Sequence, residues 1–206
     1  MALGRCSATV YPKGEVPIVQ LSIDETQPPS FHHEIGQRLA SLREEGVLIT
    51  GSGNVVHRLH AYAWGRHPQE PYEWTVSFEK RVRELLLAGE HQPLVDYQNK
   101  LGSEARLAAP TPDHYLPLLY VIGTRTASEP VTLPVEGVDG GSISMLAVQV
   151  VESEVSDPRP RRLRKPVENA EKTGETVLTR RCEFAILGGL WKCLSAGQGG
   201  LSLFDN

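Results

Sequence analysis

The sequence predicts an α/β fold, with a mostly buried central sheet flanked by helices. Residues 16–23 and 47–50 are short apolar runs, the pattern of strands that are covered on both faces. Between them, Phe31, Ile35 and Leu39 recur at a spacing of four residues, which places them on one helix face. A strand, a helix and a second strand in this order favour a right-handed parallel crossover.

Capping residues and apolar spacing delimit the helices. Ser30 can cap the first helix, and Gly46 is expected to end it. A third helix is expected to begin with Thr111 as its N-cap and Pro112 at its first helical position. Between these two, a second helix is predicted over residues 72–88, where apolar side chains at helical spacing share one face: Trp74, Phe78, Val82 and Leu85.

Two further strands are expected towards the end of the predicted domain. Residues 131–134 are rich in β-forming side chains, and residues 142–150 alternate between apolar and small polar side chains. The alternation predicts that Ile143, Met145 and Ala147 lie on one face of the second strand. Residues 90–109 give mixed signals.

Composition indicates a single soluble globular domain. The 206 residues are 40% hydrophobic and 22% charged, and the net charge of −4 gives no overall attraction to nucleic acid or to an acidic membrane surface. No apolar run approaches the roughly 18 residues of a membrane span, so no membrane partner is expected. Cys6, Cys182 and Cys193 lack metal-binding spacing, and their sparse, odd number suits a reducing compartment. We therefore expect a cytoplasmic location.

Two histidines lie in the most distinctive segments of the chain. His57 follows the second apolar run, in Gly51-Ser-Gly-Asn-Val-Val-His-Arg-Leu59, and His114 lies in Thr111-Pro-Asp-His-Tyr-Leu-Pro-Leu-Leu-Tyr120. Strand ends and helix starts commonly line one crevice in α/β folds, so the two side chains are expected to meet. A lone histidine after a strand is more often a solvated or hydrogen-bonded loop residue.

The glycines before His57 are better explained by a tight turn than by a phosphate-binding loop. The segment 51–54 lacks the length and the Lys-Ser/Thr ending of a P-loop, and it lacks the third glycine of a dinucleotide fingerprint. Asn54 is expected to form a hydrogen bond within that turn. His32 and His33 flank a helix start and are interpreted as surface or capping residues. His60, His67 and His91 lie among polar residues and are expected to be solvated.

The two histidine motifs occur together with Val16-Pro-Ile-Val-Gln-Leu-Ser-Ile-Asp24 and Pro134-Val-Glu-Gly-Val-Asp-Gly-Gly-Ser-Ile-Ser-Met-Leu-Ala-Val-Gln-Val150. In this order they resemble the C-terminal portion of the class III extradiol ring-cleavage dioxygenases, in the branch of DOPA 4,5-dioxygenase. The resemblance runs from about residue 11 to 151. It implies an incomplete domain of that α/β family, and an oxidoreductase that opens a catechol-type aromatic ring with O2.

The resemblance also implies a metal site. The histidines equivalent to His57 and His114 lie at the family's metal, so both are expected as ligands of Fe(II) or Zn(II), and His114 is also expected to act in catalysis. Two histidines and one carboxylate leave positions open on iron for catecholate and dioxygen, and a neutral histidine moves protons. The dipole of the expected helix would disfavour the cationic form of His114. Asp113 and Glu136 are the nearest carboxylates, and Asp113 is expected to stabilise that dipole instead.

Three family motifs are missing: His-Gly-Ser-Pro, Ser-Ala-His-Trp and Asp-His-Gly. In the family the first two supply metal-binding histidines and the third a probable acid/base histidine. The alternative interpretation is therefore a truncated, non-catalytic fragment or pseudoenzyme with an incomplete site, inactive by itself. If active, its partners are a small aromatic substrate and O2. Loss of neighbouring strands would expose a sheet edge, through which self-association is possible.

The predicted organisation has three parts: residues 1–10, which do not resemble the family, the dioxygenase-like domain over 11–151, and a tail over 152–206. The tail begins with a basic, proline-rich stretch, continues Gly-rich, and is expected to be disordered and not to join the core. It is either an added interaction segment or the product of a shifted reading frame. Nine Lys/Arg balance eight Asp/Glu there, and no aromatic residues interleave the arginines, so a solvated linker is favoured over nucleic-acid or lipid binding.

Overall fold

The computed structural model describes residues 16–65 and 70–151 and the backbone of 184–187. Six α-helices lie in this part of the chain: α1 Pro29–Glu44, α2 Glu73–Ala88, α3 His91–Val95, α4 Tyr97–Lys100, α5 Ala105–Ala108 and α6 Leu116–Gly123. The described strands are β1 Gly51–Ser52, β2 Val131–Val135, β3 Val138–Asp139, β4 Ile143–Ser144, β5 Ala147–Val150 and β6 Phe184–Leu187. The mixture of helices and sheet confirms the predicted α/β class.

The main sheet has the strand order β1-β6-β5-β2. Strand β1 runs parallel to β6, whereas β6 and β5, and β5 and β2, pair antiparallel. Strands β3 and β4 form a separate antiparallel pair. The prediction that the tail does not join the sheet is wrong for Phe184–Leu187, whose backbone pairs with both β1 and β5. The remainder of the tail and residues 1–10 lie outside the described residues.

The first two predicted strands are the main difference from the sequence-based fold. Residues 16–23 form no strand with any described residue, and most of their side chains are exposed, Val19 by 93% and Leu21 by 57%, whereas Ile23 is half-buried against the core. A strand needs a neighbour for its N–H and C=O groups, and no described strand lies beside this segment. Residues 47–50 are also not a strand, and pairing begins only at Gly51. The predicted parallel crossover is therefore absent from the described residues.

Helix α1 packs against α6 at unusually close range. A side chain on Gly36 would come within 3.0 Å of the Cα atom of Gly123 and would overlap the carbonyl oxygen of Tyr120. The buried face of α1 consists of His32, His33 and Gly36, whereas Phe31 is exposed. The prediction that His32 and His33 are surface or capping residues is wrong, because α6 covers them. His32 Nδ1 lies 2.8 Å from the hydroxyl of Tyr120.

Helix α2 confirms the predicted apolar face. Phe78, Val82 and Leu85 are buried, and Trp74 packs at the edge of the same core. Gly89 ends the helix with a left-handed φ of 74°, a conformation that glycine adopts without a steric penalty. Opposite this face lie aromatic and aliphatic side chains from the segments on either side of α5 and from α6: Tyr97, Leu101, Tyr115, Leu118, Leu119 and Ile122.

The single strand predicted over residues 142–150 is two strands, β4 and β5, and Ile143, Met145 and Ala147 do not share one environment, because Ala147 is buried. Ser142, Ser144 and Leu146 are buried, whereas Ile143 and Met145 are only half-buried. Serine is short enough to let the neighbouring 54–58 segment approach, and its hydroxyl and carbonyl groups form hydrogen bonds there: Ser142 Oγ donates to the carbonyl oxygen of Arg58 at 2.9 Å.

None of the helices in the described part of the chain has the length and apolar character needed to cross a membrane.

Candidate active site

The tight turn after β1 brings the two histidine motifs together. A Cβ atom on Gly53 would overlap the carbonyl oxygen of His114 and lie 3.2 Å from Cγ of Pro117. Only a glycine therefore permits this approach. The next residue, Asn54, donates its backbone N–H to the carbonyl oxygen of His114 at 2.9 Å. The turn that was predicted to present His57 is thus fastened directly to the second motif.

His57 is almost completely enclosed by backbone. The whole residue is 5% exposed, and its backbone N–H donates to the carbonyl oxygen of Ala108 at 2.9 Å. Nδ1 lies 3.1 Å from the carbonyl oxygen of Asn54, and Nε2 lies 3.0 Å from that of Thr111. Burial, and then the neighbouring His114, lower the pKa of His57 below its usual value. The ring is therefore neutral at neutral pH, and only one of its nitrogens has a proton to donate.

His114 lies in a turn rather than at a helix start. Helix α6 begins at Leu116, so Thr111 is not its N-cap as predicted. The carbonyl oxygen of Pro112 accepts from the N–H groups of Tyr115 and Leu116, at 2.9 and 2.8 Å, which closes a turn before the helix. His114 therefore lies one residue before Tyr115, the N-cap of α6, instead of in the first turn of the helix.

Asp113 links Thr111 to His114. Its Oδ1 accepts the Thr111 hydroxyl at 2.5 Å, and its Oδ2 lies 3.6 Å from His114 Nε2. Burial by itself raises the pKa of Asp113, but the Thr111 hydroxyl and the two nearby histidines outweigh it and lower the pKa. The carboxylate is therefore an ionised neighbour of the histidine pair.

The two imidazoles form one stacked pair. Their centroids are 4.9 Å apart and their planes differ by 25°, which confirms that His57 and His114 meet. The two rings have different surroundings, because His57 is buried and the side chain of His114 is 44% exposed. One ring is therefore fixed inside the protein while the other faces solvent, where a substrate could reach it.

The described residues do not by themselves fit an iron or zinc ion. Three protein ligands are the usual minimum for such a site, and no group of three His, Cys, Asp or Glu side chains is assembled in the described part of the chain. Both nitrogens of His57 face backbone oxygens, one of which a metal would have to displace. Glu136, the other carboxylate considered, bonds to Arg83 at 2.9 Å instead.

The sequence did not indicate the part of Ser144 in this site. Its carbonyl oxygen accepts the side-chain Nδ2 of Asn54 at 2.7 Å, and its own N–H donates to the carbonyl oxygen of Val56 at 3.0 Å. The available signal was the pair of serines that alternate with apolar side chains in residues 142–146. Small polar residues inside a strand indicate a close backbone approach.

The remaining histidines differ in their burial. His60 is exposed as predicted, and His67 lies outside the described residues. The prediction that His91 is solvated is wrong: Nδ1 lies 3.5 Å from Nε2 of His33, and Nε2 lies 3.4 Å from Arg125. Burial, His33 and Arg125 lower the pKa of His91 to about 4. This pair belongs to the packing of α1 on α3.

Comparison with known proteins gives a family for this arrangement. Residues 8–136, which include both histidine motifs, match the family described as the catalytic LigB subunit of aromatic ring-opening dioxygenase. The chain belongs to this family. The match extends over more than half of the chain, and it confirms the resemblance inferred from the motifs.

Individual relatives match the same portion. The 4,5-DOPA dioxygenase extradiol of Escherichia coli K12 is 47% identical over 144 residues, which are 68% of this chain and 52% of the relative. That of Beta vulgaris is 30% identical over 135 residues, covering 66% of this chain and 49% of the relative. The crystal structure of an uncharacterized Escherichia coli K12 protein superimposes with a TM-score of 0.64 at 44% identity, over 71% of this chain and 59% of that one. The chain thus spans about half the length of the curated relatives it matches.

Proposed function

We propose that this chain contributes one half of the site of an extradiol dioxygenase that opens a catechol-type aromatic ring with O2. The observation that supports this most directly is the stacked pair of His57 and His114 within the region that matches the family. Relatives of the matched region are named 4,5-DOPA dioxygenase extradiol, so a DOPA-like catechol is the first substrate to test.

The two histidines are proposed to have different roles. His114 is exposed enough to meet a substrate, so it is the candidate to accept a proton from a catechol hydroxyl. Asp113, 3.6 Å away, stabilises the protonated imidazole that results. His57 is buried and stacked beneath His114, and it is the candidate metal ligand because its pKa is lowered and its neutral form has a lone pair.

Fe(II) is the proposed metal of the complete enzyme. Iron changes its oxidation state and can activate dioxygen, whereas Zn(II) binds the same donor types without redox chemistry. Because the described residues supply too few ligands, we propose that this chain is inactive without further ligands. This makes the non-catalytic alternative the expected behaviour of the chain by itself.

A chimera tests the proposed function. The segment of the Escherichia coli relative that this chain matches is replaced by the corresponding residues of this chain, and oxygen uptake with Fe(II) and DOPA is measured. We expect ring opening, seen as a yellow product. His114→Ala in the chimera should lower kcat by about 10²–10⁴, the usual contribution of acid–base catalysis. His57→Ala should abolish metal-dependent activity.

The matched control is His60→Ala, which removes an exposed histidine from the same segment and should leave oxygen uptake unchanged. The proposal would be refuted if a folded chimera that carries both His57→Ala and His114→Ala opened the ring as well as the unmodified chimera.

Location and self-association are proposed separately. A cytoplasmic location is supported by the small number of cysteines. Self-association is supported by the exposed apolar segment that includes Ile18, Val19 and Leu21. Sedimentation velocity should show a concentration-dependent dimer that Val19→Glu weakens. A monomer at all concentrations would exclude self-association.

A further inference from the structure

Asn54 touches both histidine motifs and the strand beneath them. Its backbone N–H donates to the carbonyl oxygen of His114 at 2.9 Å. Its side-chain Nδ2 donates to the carbonyl oxygen of Ser144 at 2.7 Å, and its own carbonyl oxygen lies 3.1 Å from Nδ1 of His57. One buried residue therefore connects the ring of His57 to the backbone of His114 and to β4.

The anchor of the Asn54 side chain is itself fixed. Ser144 is completely buried in β4, and its N–H donates to the carbonyl oxygen of Val56 at 3.0 Å. Its hydroxyl oxygen accepts the N–H of Leu146 at 3.2 Å. Asn54 is held at its N–H and at its side chain, and the chain after it is held by the carbonyl oxygen of Val56 and the backbone N–H of His57, which donates to Ala108 at 2.9 Å. The segment that carries the Asn54 carbonyl group is therefore fixed on both sides.

The carbonyl oxygen of Thr111, on the opposite side of the His57 ring, is held less firmly. It lies 3.0 Å from Nε2, and the Thr111 hydroxyl oxygen, which can donate as well as accept, lies 3.4 Å from the same nitrogen. Both contacts are only partly buried, and Thr111 itself is exposed. A neutral ring has one N–H, so one of the two carbonyl oxygens must face a lone pair. On the buried side this repulsion could not be relieved, whereas on the exposed side solvent or a small shift of Thr111 relieves it.

We infer that Asn54 is a positioning residue, which keeps the proton of His57 on Nδ1 and leaves the lone pair of Nε2 on the side of Thr111. A histidine whose second nitrogen donates to a backbone carbonyl has both its tautomer and its ring orientation set. The use of this lone pair in ring opening rests on the proposed function. The tautomer itself does not.

Nitrogen-15 NMR of the imidazole side chains tests the inference on the full chain. Long-range proton–nitrogen correlations identify which nitrogen is protonated, and at pH 8 an unperturbed histidine is neutral. We expect His57 with its proton on Nδ1 only. Asn54→Ala should remove this preference, giving a mixture of tautomers and loss of the close ring contact with His114. Asn54→Asp, which keeps the side-chain size but replaces the donor with an acceptor, should do the same.

The matched control is Asn99→Ala. Asn99 also uses Nδ2 to bond to an acceptor, Asp96 Oδ1 at 2.6 Å, but it is exposed. The Asn99→Ala substitution should leave the His57 signals unchanged. A proton on Nε2 in the unmodified chain would overturn the inference, even if the Asn54 variants failed to fold. An unchanged Nδ1 proton in folded Asn54→Ala would overturn the role of the side chain. Neither readout depends on ring-opening activity, so failure of the proposed function is seen separately.

Discussion

His57 and His114 stack with their ring centroids 4.9 Å apart, although 57 positions separate them in the sequence. The contact depends on backbone more than on the rings, because the turn at Gly53 and Asn54 lies directly on the carbonyl group of His114. Any change that separates these two segments should therefore separate the rings.

Gly53→Ala is expected to separate the two segments. A Cβ atom there would overlap the carbonyl oxygen of His114, a backbone atom that cannot rotate out of the way. We expect a loss of about 1–3 kcal/mol in the free energy of unfolding, the usual cost of overpacking, measured by denaturant titration. NMR should show that the contact between the two rings is lost.

Gly102→Ala is the control for Gly53→Ala. Gly102 has a left-handed φ of 89° but open space around it, so the added methyl group costs about 1 kcal/mol of backbone strain only. The ring contact should remain. If both variants left the rings in contact, the backbone would not be what holds them together.

The buried ion pair of Arg43 and Glu129 is expected to stabilise the packing of α1 on the end of α6. The side chains meet at 2.6 Å and are 7% and 9% exposed, and Arg43 also donates to the carbonyl oxygen of Thr124 at 2.8 Å. Glu129→Gln should cost about 3–5 kcal/mol of unfolding free energy, because a buried guanidinium loses its counter-charge.

Glu84→Gln is the comparison for this prediction. It breaks the pair with Arg81, in which both side chains are about half exposed, and should cost under about 1 kcal/mol. Thermal or chemical unfolding of the two variants measures the difference. Equal effects would mean that burial does not strengthen the Arg43–Glu129 pair.

Some elements could be predicted from the sequence because one local rule decides them. The face of α2 follows from the spacing of Phe78, Val82 and Leu85, and the turn at Gly53 follows from its glycines. The strand at 16–23 was wrong because a strand depends on a neighbour, which no local pattern supplies. The burial of His32 and the partial burial of His91 were missed for the same reason, since α6 covers the first and His33 of α1 contacts the second.

The contact between His57 and His114 could be predicted from the two motifs, but the backbone structure that holds them together could not. The helix start at Leu116 depends on a turn closed by the carbonyl group of Pro112, not on the expected cap at Thr111. The contribution of Ser144 follows from a strand whose buried face is set by tertiary contact. Such contacts lie between segments distant in sequence, where spacing gives no information.

The free energy of unfolding is expected to decrease as the pH is lowered, because of His91. Burial, His33 and Arg125 lower its pKa from 6.5 to about 4. The unfolded chain therefore binds a proton between these values while the folded chain does not. The stabilisation is present above pH 6.5 and is lost as the pH falls towards 4.

His91→Gln measures this contribution. The drop in unfolding free energy between pH 7 and 4 should be smaller in the variant than in the unmodified chain, by on the order of 1–3 kcal/mol, since one pKa unit corresponds to about 1.4 kcal/mol. Denaturant titrations at several pH values give both curves. Parallel curves would show that His91 is protonated as readily in the folded chain as in the unfolded one.

Oxygen uptake by the purified chain alone tests most directly the claim that it holds only part of an extradiol site. The protein is reconstituted anaerobically with Fe(II), and DOPA or protocatechuate is added before air. We predict no uptake above that of Fe(II) without protein, because the described residues supply fewer than the three ligands that such a site usually needs, even if His114 were to bind the metal together with His57. Stoichiometric uptake with a yellow ring-opened product, abolished by His57→Ala, would contradict this account.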